Sequence, residues 1–341
     1  MTARDPVADL RRIAFLLERA NEATFRVKAF RSAAAALGAL PPGELAARAS
    51  AGTLTELPGV GDVTARCVTE SLAGEEPVYL RRLTATAGVD LDETTEALRG
   101  ALRGDCHSHS DWSDGGSPIA VMAEAAQALG HQWIVLTDHS PRLQVANGLS
   151  TDRLERQLDE VAALNERLAP FRILTGVEVD IVEEGALDHG DDLLARLDLV
   201  VASVHSRLRD DGPAMTRRLV RAVSNPHVDV LGHCTGRLVE GRGRPPSEFD
   251  HEAVFAAIAE HGKALEVNCR PERLDPPRPM LRTAIEAGCL LAVDTDAHAP
   301  GQLDWQWRGC DRVAECGGDP AAIVTTWSAD ELLAWTATRA S

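Results

Sequence analysis

Six of the chain's eleven histidines, His107, His109, His139, His205, His233 and His298, close short apolar runs, and Asp114, Glu178 and Asp296 accompany them. Imidazole with carboxylate is the donor mix of Zn²⁺, Mn²⁺ or Fe²⁺ sites. In His107-Ser108-His109 the two rings fall on one side of an extended chain, because side chains alternate with period two. Asp296 and His298 repeat that arrangement. A single buried histidine is ordinarily a hydrogen-bonded core residue; six at successive run ends call for another explanation. Zinc usually takes about four ligands, so this set predicts a cluster of two or three divalent ions sharing carboxylates. Such a cluster lowers the pKa of a bound water towards about 7 and clamps the attacking and leaving oxygens of a displacement. His131, His189, His227, His251 and His261 lie in other stretches and are given no role.

The elements that must position these groups follow from the pattern. Seven apolar runs (104–107, 133–137, 172–178, 198–204, 228–232, 264–268 and 290–294) alternate with amphipathic stretches at 118–129, 151–168, 214–224, 249–261 and 277–287. Strands alternating with helices predict parallel βα units, and a series this long predicts a barrel. Barrels of this kind carry their chemistry at the C-terminal ends of the strands, where the histidines fall. Upstream, residues 5–20 and 24–40 have apolar positions at helical spacing, stopped by Pro41-Pro42-Gly43. A short helix at 43–50 precedes the segment 54–74. The expected organisation is a helical domain over 1–83, a linker over 84–103 and an α/β domain over 104–341.

Composition narrows the function. The chain of 341 residues has a net charge of −17, but residues 1–103 hold 13 basic and 14 acidic groups while the remainder holds 22 and 38. Within residues 1–35 the balance turns to +3, so any nucleic-acid contact is local to that end. No apolar run reaches the roughly 18 residues of a spanning helix, and residues 1–9 do not read as an export signal. Seven cysteines without a C-x-x-C pair exclude a zinc ribbon and thioredoxin chemistry and predict reduced, buried thiols in a cytoplasmic protein.

The motifs H-x-H-S-x-x-S-D-G at 107–115, T-D-H at 137–139, G-x-E at 176–178, S-V-H at 203–205, G-H at 232–233 and D-A-H at 296–298 resemble, in this order, those of the polymerase-and-histidinol-phosphatase (PHP) metallophosphoesterases. That resemblance implies an α/β fold, a distorted (βα)7 barrel with a trinuclear metal site. It places His107, His109, Glu178 and Asp296 on one ion and Glu178, His205 and His233 on a second. Asp114, His139 and His298 would hold a third. Cys234 stands where the family commonly has proline. The text at 232–238, 265–268 and 273–275 further resembles the PHP domain of bacterial family X DNA polymerases. Arg207, Arg237 and Arg273 follow strand ends and are expected to hold phosphate oxygens, with Arg237 counted among the catalytic residues beside His107, His109, Glu178 and Asp296. Asp138 is expected to orient its neighbouring histidine.

Leu57-Pro58-Gly59-Val60-Gly61 is a helix-hairpin-helix signature, whose glycines let backbone N–H groups approach a phosphate. With Arg26, Lys28 and Arg31 in the preceding helix, it resembles the small DNA-binding domain of family X polymerases. The interval 83–104 leaves no room for a polymerase palm, and Cys67 stands at the position of the lysine that forms a Schiff base in animal members. The resemblance therefore implies a phosphoesterase for DNA ends (3′–5′ exonuclease, 3′-phosphatase or abasic-site processing) in which a hydroxide bridging two ions attacks phosphorus. DNA with gaps, nicks or 3′ ends is the expected partner. A phosphatase of the histidinol-phosphatase type and a non-catalytic DNA-binding adaptor are the alternatives.

Overall fold

The computed structural model describes residues 4–340; the first three residues of the 1–83 domain and the last of 104–341 lie outside the described residues. Two compact units divide between residues 90 and 91.

The first unit is all helical. Helix α1 (Pro6–Arg19) opens with Asp5 accepting from the Val7 N–H and Pro6 at its first turn. Then come α2 (Thr24–Gly38), α3 (Glu44–Ala51), α4 (Asp62–Leu72) and α5 (Val78–Thr86). Leu10, Ile13 and Leu17 of α1 meet Phe30, Ala33 and Leu37 of α2, with Leu54, Val60 and Val68 closing the core. In the hairpin ahead of α4, Gly59 has φ +84°, and a Cβ there would lie 3.1 Å from that of Ser32. Only glycine takes this backbone without strain.

The second unit begins with α6 (Glu93–Ala101), capped by Asp92 on the Thr95 N–H. The stretch 84–103 is therefore not a plain linker: Leu98 and Leu102 join the core of the second unit, and α6 packs on α13 (Gln306–Cys316). Between them run α7 (Ile119–Ala128), β1 (Trp133–Leu136), α8 (Thr151–Leu168), β2 (Arg172–Asp180), α9 (Asp191–Leu194), β3 (Leu199–Ser203), α10 (Gly212–Val223), β4 (Val230–Leu231), α11 (His251–Glu260), β5 (Ala264–Asn268), α12 (Arg278–Glu286) and β6 (Leu290–Asp294), and α14 (Ala329–Thr336) follows α13. Among the described residues the six strands form one parallel sheet in sequence order.

The expected α/β barrel is present, with one difference. The first apolar run, 104–107, is not a ladder strand. It fills the place between β1 and β6, where Ser108 bridges both Leu136 and Ala297. Its carbonyls still serve β1, since Asp105 O accepts from Val135 N at 2.8 Å. Three of its successive N–H groups, however, go to side chains: Cys106 to Asp294 Oδ1 at 2.8 Å, His107 to Asp105 Oδ1 at 3.0 Å and Ser108 to Thr137 Oγ1 at 3.0 Å. Two carboxylates and a hydroxyl thus replace ladder carbonyls, which is how this segment becomes irregular.

Strand alternation then sets the site. Leu174 of β2, Leu199 and Val201 of β3 and Ala292 of β6 share one apolar cluster. Continuing each of these rows by twos leads to Glu178, His205 and Asp296 at the C-terminal ends. Position 232 lies on the crowded side of β4, where a Cβ would stand 2.3 Å from Ser203 Oγ, so the glycine before His233 is a packing requirement. All seven cysteines are unpaired, and six are buried; burial, the largest influence, pushes the Cys67 thiol up to about 11. Among the described residues no helix is long and apolar enough to cross a membrane.

Candidate metal centre

Glu178 is the hub of the barrel mouth. Its Oε2 lies 2.7 Å from His139 Nδ1, 3.3 Å from His107 Nε2 and 3.7 Å from His109 Nε2. Its Oε1 lies 3.0 Å from His233 Nε2 and 3.3 Å from His205 Nε2. One buried carboxylate therefore faces five imidazoles delivered by four different strand ends. Asp296 Oδ1 is 3.4 Å from His109 Nε2 and 4.0 Å from His107 Nε2. Asp114 Oδ1 sits 3.3 Å from His298 Nε2 and 3.5 Å from His139 Nε2.

All nine residues singled out by type and spacing converge here. Donor atoms within 4.8 Å of one another form three groups: His109, Asp114, His139 and His298; His107, His109 and Glu178; His139, Glu178 and His205. His109 and His139 thus each stand between two groups, a sharing that the linear motifs do not reveal.

The donor chemistry fits divalent cations. His107 Nε2, both nitrogens of His109, His139 Nδ1, both nitrogens of His205, His233 Nδ1 and Glu178 Oε2 are buried with no hydrogen-bond partner. Buried polar atoms are otherwise nearly always paired, and lone pairs converging without hydrogen-bond geometry are the signature of a cation cage. Electrostatics agrees. Burial opposes charge throughout, but His107, His139 and His205 hold the Glu178 carboxyl well below its usual range. Burial is likewise outweighed at His205, which Glu178 and Asp180 push up to about 9. Burial together with His298 and His139 drives His109 well below its usual value.

The arginines divide differently from expectation. Arg207 points away from the mouth, pairing with Asp210 at 3.0 Å and Glu183 at 3.1 Å. Arg237 Nε donates to Arg273 O at 3.0 Å and its Nη2 to Leu274 O, so it braces a loop. Both were expected on phosphate from their nearness to strand ends, but each is engaged by acceptors within the protein instead. Arg273 does reach the site, with Nε 3.2 Å from Asp296 Oδ2. Arg270, which the sequence reading passed over, lies beside it. Asp138 does not orient His139; it gathers Ser110 (N at 2.8 Å, Oγ at 2.6 Å), Gln157 Nε2 at 2.6 Å and the Ser113 hydroxyl, fixing the loop that carries Asp114. A cavity of about 630 Å³ opens over the cluster, and its lining includes Leu143, Val145 and Leu238 as well as Glu240 and Glu272.

In the first unit, Gly61 N donates to Thr64 Oγ1 at 3.0 Å, leaving Gly59 and Gly61 exposed and Leu57 half-buried. Val60 is a core residue instead of a contact residue. Arg31 is held by Glu18 through bonds of 2.9 and 2.6 Å, and Arg26 by Glu22 at 2.5 Å and Tyr79 Oη at 2.6 Å. Lys28 is exposed.

Comparison with known proteins agrees with this architecture. A family model for the PHP domain matches residues 105–270, and one for a helix-hairpin-helix domain matches residues 1–77. The chain is 45% identical over 205 residues to the DNA polymerase/3′-5′ exonuclease PolX of Bacillus subtilis, covering 60% of this chain but only 36% of that protein. It is 33% identical over 205 residues to a protein described as a probable phosphatase of a Thermoanaerobacter species, covering 57% of this chain and 78% of that one. A crystal structure of histidinol phosphate phosphatase from Lactococcus lactis, complexed with zinc, L-histidinol and phosphate, matches with a TM-score of 0.46 at 18% identity, covering 64% of this chain and 95% of that one. Site and fold define a metal-dependent phosphoester hydrolase. The chain belongs to the PHP family, with a helix-hairpin-helix domain ahead of its barrel.

Proposed function

We propose that this chain hydrolyses phosphate esters at DNA ends, as a 3′–5′ exonuclease, a 3′-phosphatase or a processor of abasic sites, with the helix-hairpin-helix unit supplying the DNA contact. The observation that carries the hydrolytic part is the convergence of five imidazoles on Glu178, with the facing nitrogens of His107, His109, His139 and His205 unpaired. Two or three ions of Zn²⁺, Mn²⁺ or Fe²⁺ suit the three donor groups, and when bound they supply Lewis-acid charge and an acidic water for attack on phosphorus. Glu178 would be shared between ions, His107, His109 and Asp296 would complete one position, and His205 with His233 another. Asp114, His139 and His298 would complete the third. Arg273, 3.2 Å from Asp296, would hold a non-bridging phosphate oxygen. Support for DNA comes from the exposed Gly59–Gly61 hairpin, from Lys28, and from the relative in Bacillus subtilis, of which this chain spans about a third.

A small phosphomonoester of the histidinol-phosphate type is the second reading. Glu240 and Glu272 in the cavity lining favour it, because their carboxylates add negative charge that opposes a polyanion. Turnover by the manganese-loaded protein of a 3′-phosphorylated gapped duplex against histidinol phosphate separates the two. Preference for the duplex, with affinity falling steeply as salt rises, is the expected result. Hydrolysis of histidinol phosphate alone, or no binding of gapped duplex at low salt, would remove the DNA-end reading. Cations bound with neither ester hydrolysed would leave a DNA-binding adaptor.

A further inference from the structure

We propose that Arg270 is a substrate-phosphate residue, forming with Arg273 a two-guanidinium clamp over the metal cluster; this rests on the phosphoesterase reading above. Arg270 sits two residues past β5, lines the cavity and has a side chain only 22% exposed. A guanidinium this far from water should have its donors saturated. Those of Arg270 are not well served. Its Nη1 lies 3.4 Å from Asp296 Oδ1 and 3.5 Å from Asp296 O, and its Nε lies 3.7 Å from Glu272 Oε2. Charge-assisted N–H···O bonds normally measure about 2.7–2.9 Å.

The shortest approach, 3.1 Å from Nη1 to His298 Nδ1, does not supply an acceptor. That same Nδ1 lies 2.9 Å from Asp296 O, a carbonyl that only accepts, so Nδ1 carries the hydrogen and donates. Two donors then face each other, and Arg270 is left with long contacts alone. The contrast with its neighbours is direct: Arg237 and Arg207 each have two acceptors, at least one at 3.0 Å.

Asp296 is bracketed from both sides, by Arg270 on Oδ1 and Arg273 Nε on Oδ2. If Asp296 shares its charge with a cation, both guanidinium groups lose hold on it and their remaining donors address the cavity. A phosphate monoester offers three peripheral oxygens there, enough for one contact to each arginine while the third faces the metal cluster. The competing role for Arg270 is a brace that merely positions Asp296 and His298.

Inorganic phosphate binding to the full-length manganese-loaded protein, measured by calorimetry, separates these roles without relying on turnover. For Arg270→Gln the dissociation constant for phosphate should rise about tenfold or more, and KM for a phosphomonoester should rise with it, while the bound manganese per chain stays unchanged. Arg270→Lys should recover part of the phosphate affinity, since it restores charge without the planar fork; it also serves as the test if the Gln variant does not fold. Loss of manganese in step with loss of phosphate, or unchanged phosphate affinity in both variants, would overturn the clamp. If the unaltered protein binds phosphate through Arg270 yet hydrolyses no ester, the clamp stands and the hydrolytic reading fails.

Discussion

His107 Nδ1 lies 2.5 Å from Glu266 Oε1, and the second oxygen of that carboxylate takes the His233 N–H at 2.5 Å and Asn268 Nδ2 at 3.2 Å. Asn268 Nδ2 is also 3.2 Å from Asp296 Oδ2. One buried side chain on β5 therefore orients three residues of the cluster. By fixing a hydrogen of His107 on Nδ1, it leaves Nε2 as the atom that faces Glu178.

The first prediction follows from this relationship. Glu266→Gln keeps the volume but presents an amide NH₂ to one of two donors, His107 N–H or His233 N–H. Metal affinity should fall about 10- to 100-fold, read by chelator competition, with the circular dichroism spectrum unchanged. Equal affinity in the variant would mean that the ligands hold their orientation by packing alone.

Glu178→Ala removes the carboxylate faced by five imidazoles. Turnover of any phosphate ester should drop at least about a thousandfold, roughly 4 kcal/mol of barrier, together with the number of ions retained. Full activity in this variant would show that the cluster has another centre.

Cation binding should expel protons. His205 titrates at about 9 and His107 well above its usual value, so at pH 7 both carry protons that a cation must displace. Affinity should then strengthen as pH rises from 7 towards 9 and weaken below 7. Calorimetry in two buffers of different ionisation enthalpy should count proton release. A pH-independent affinity would contradict this assignment.

In the first unit, a Cβ at Gly61 meets nothing within 4 Å and its φ is not positive. Gly61→Ala should therefore fold normally, yet hold a phosphate further from the hairpin N–H groups. DNA affinity should weaken about tenfold, on the order of 1.4 kcal/mol, while hydrolysis of small esters is unaffected. Gly59→Ala adds backbone strain at φ +84° and contact with Ser32, so it should lose stability as well.

The clustered residues could be read from the chain because segment order carries the six histidines, Glu178 and Asp296 to the same end of the barrel, while Asp114 follows His109 on the short loop that Asp138 holds. Arg270 could not be, since an arginine just past β5 looks the same in sequence whether its acceptors exist or not. Arg207 and Arg237 illustrate the converse: Glu183 and the carbonyls of Arg273 and Leu274 that hold them belong to segments brought near only by folding, although Asp210, three residues past Arg207, was within reach of the sequence. Glu266 carried a signal, a charged residue inside an apolar run, but its task depends on His107 and His233 of two other segments. The irregular first segment was hidden for the same reason, because Asp294 reaches Cys106 N from the far end of the barrel sequence.

That seam, where Ser108 bridges both Leu136 and Ala297, joins the first and last pieces of the barrel to emerge during synthesis. His107 and His109 leave the ribosome long before Asp296 and His298 exist to meet them. A nascent chain thus presents only an open half-ring of ligands, and tight cation uptake belongs to the interval after its final strand has been released and docked.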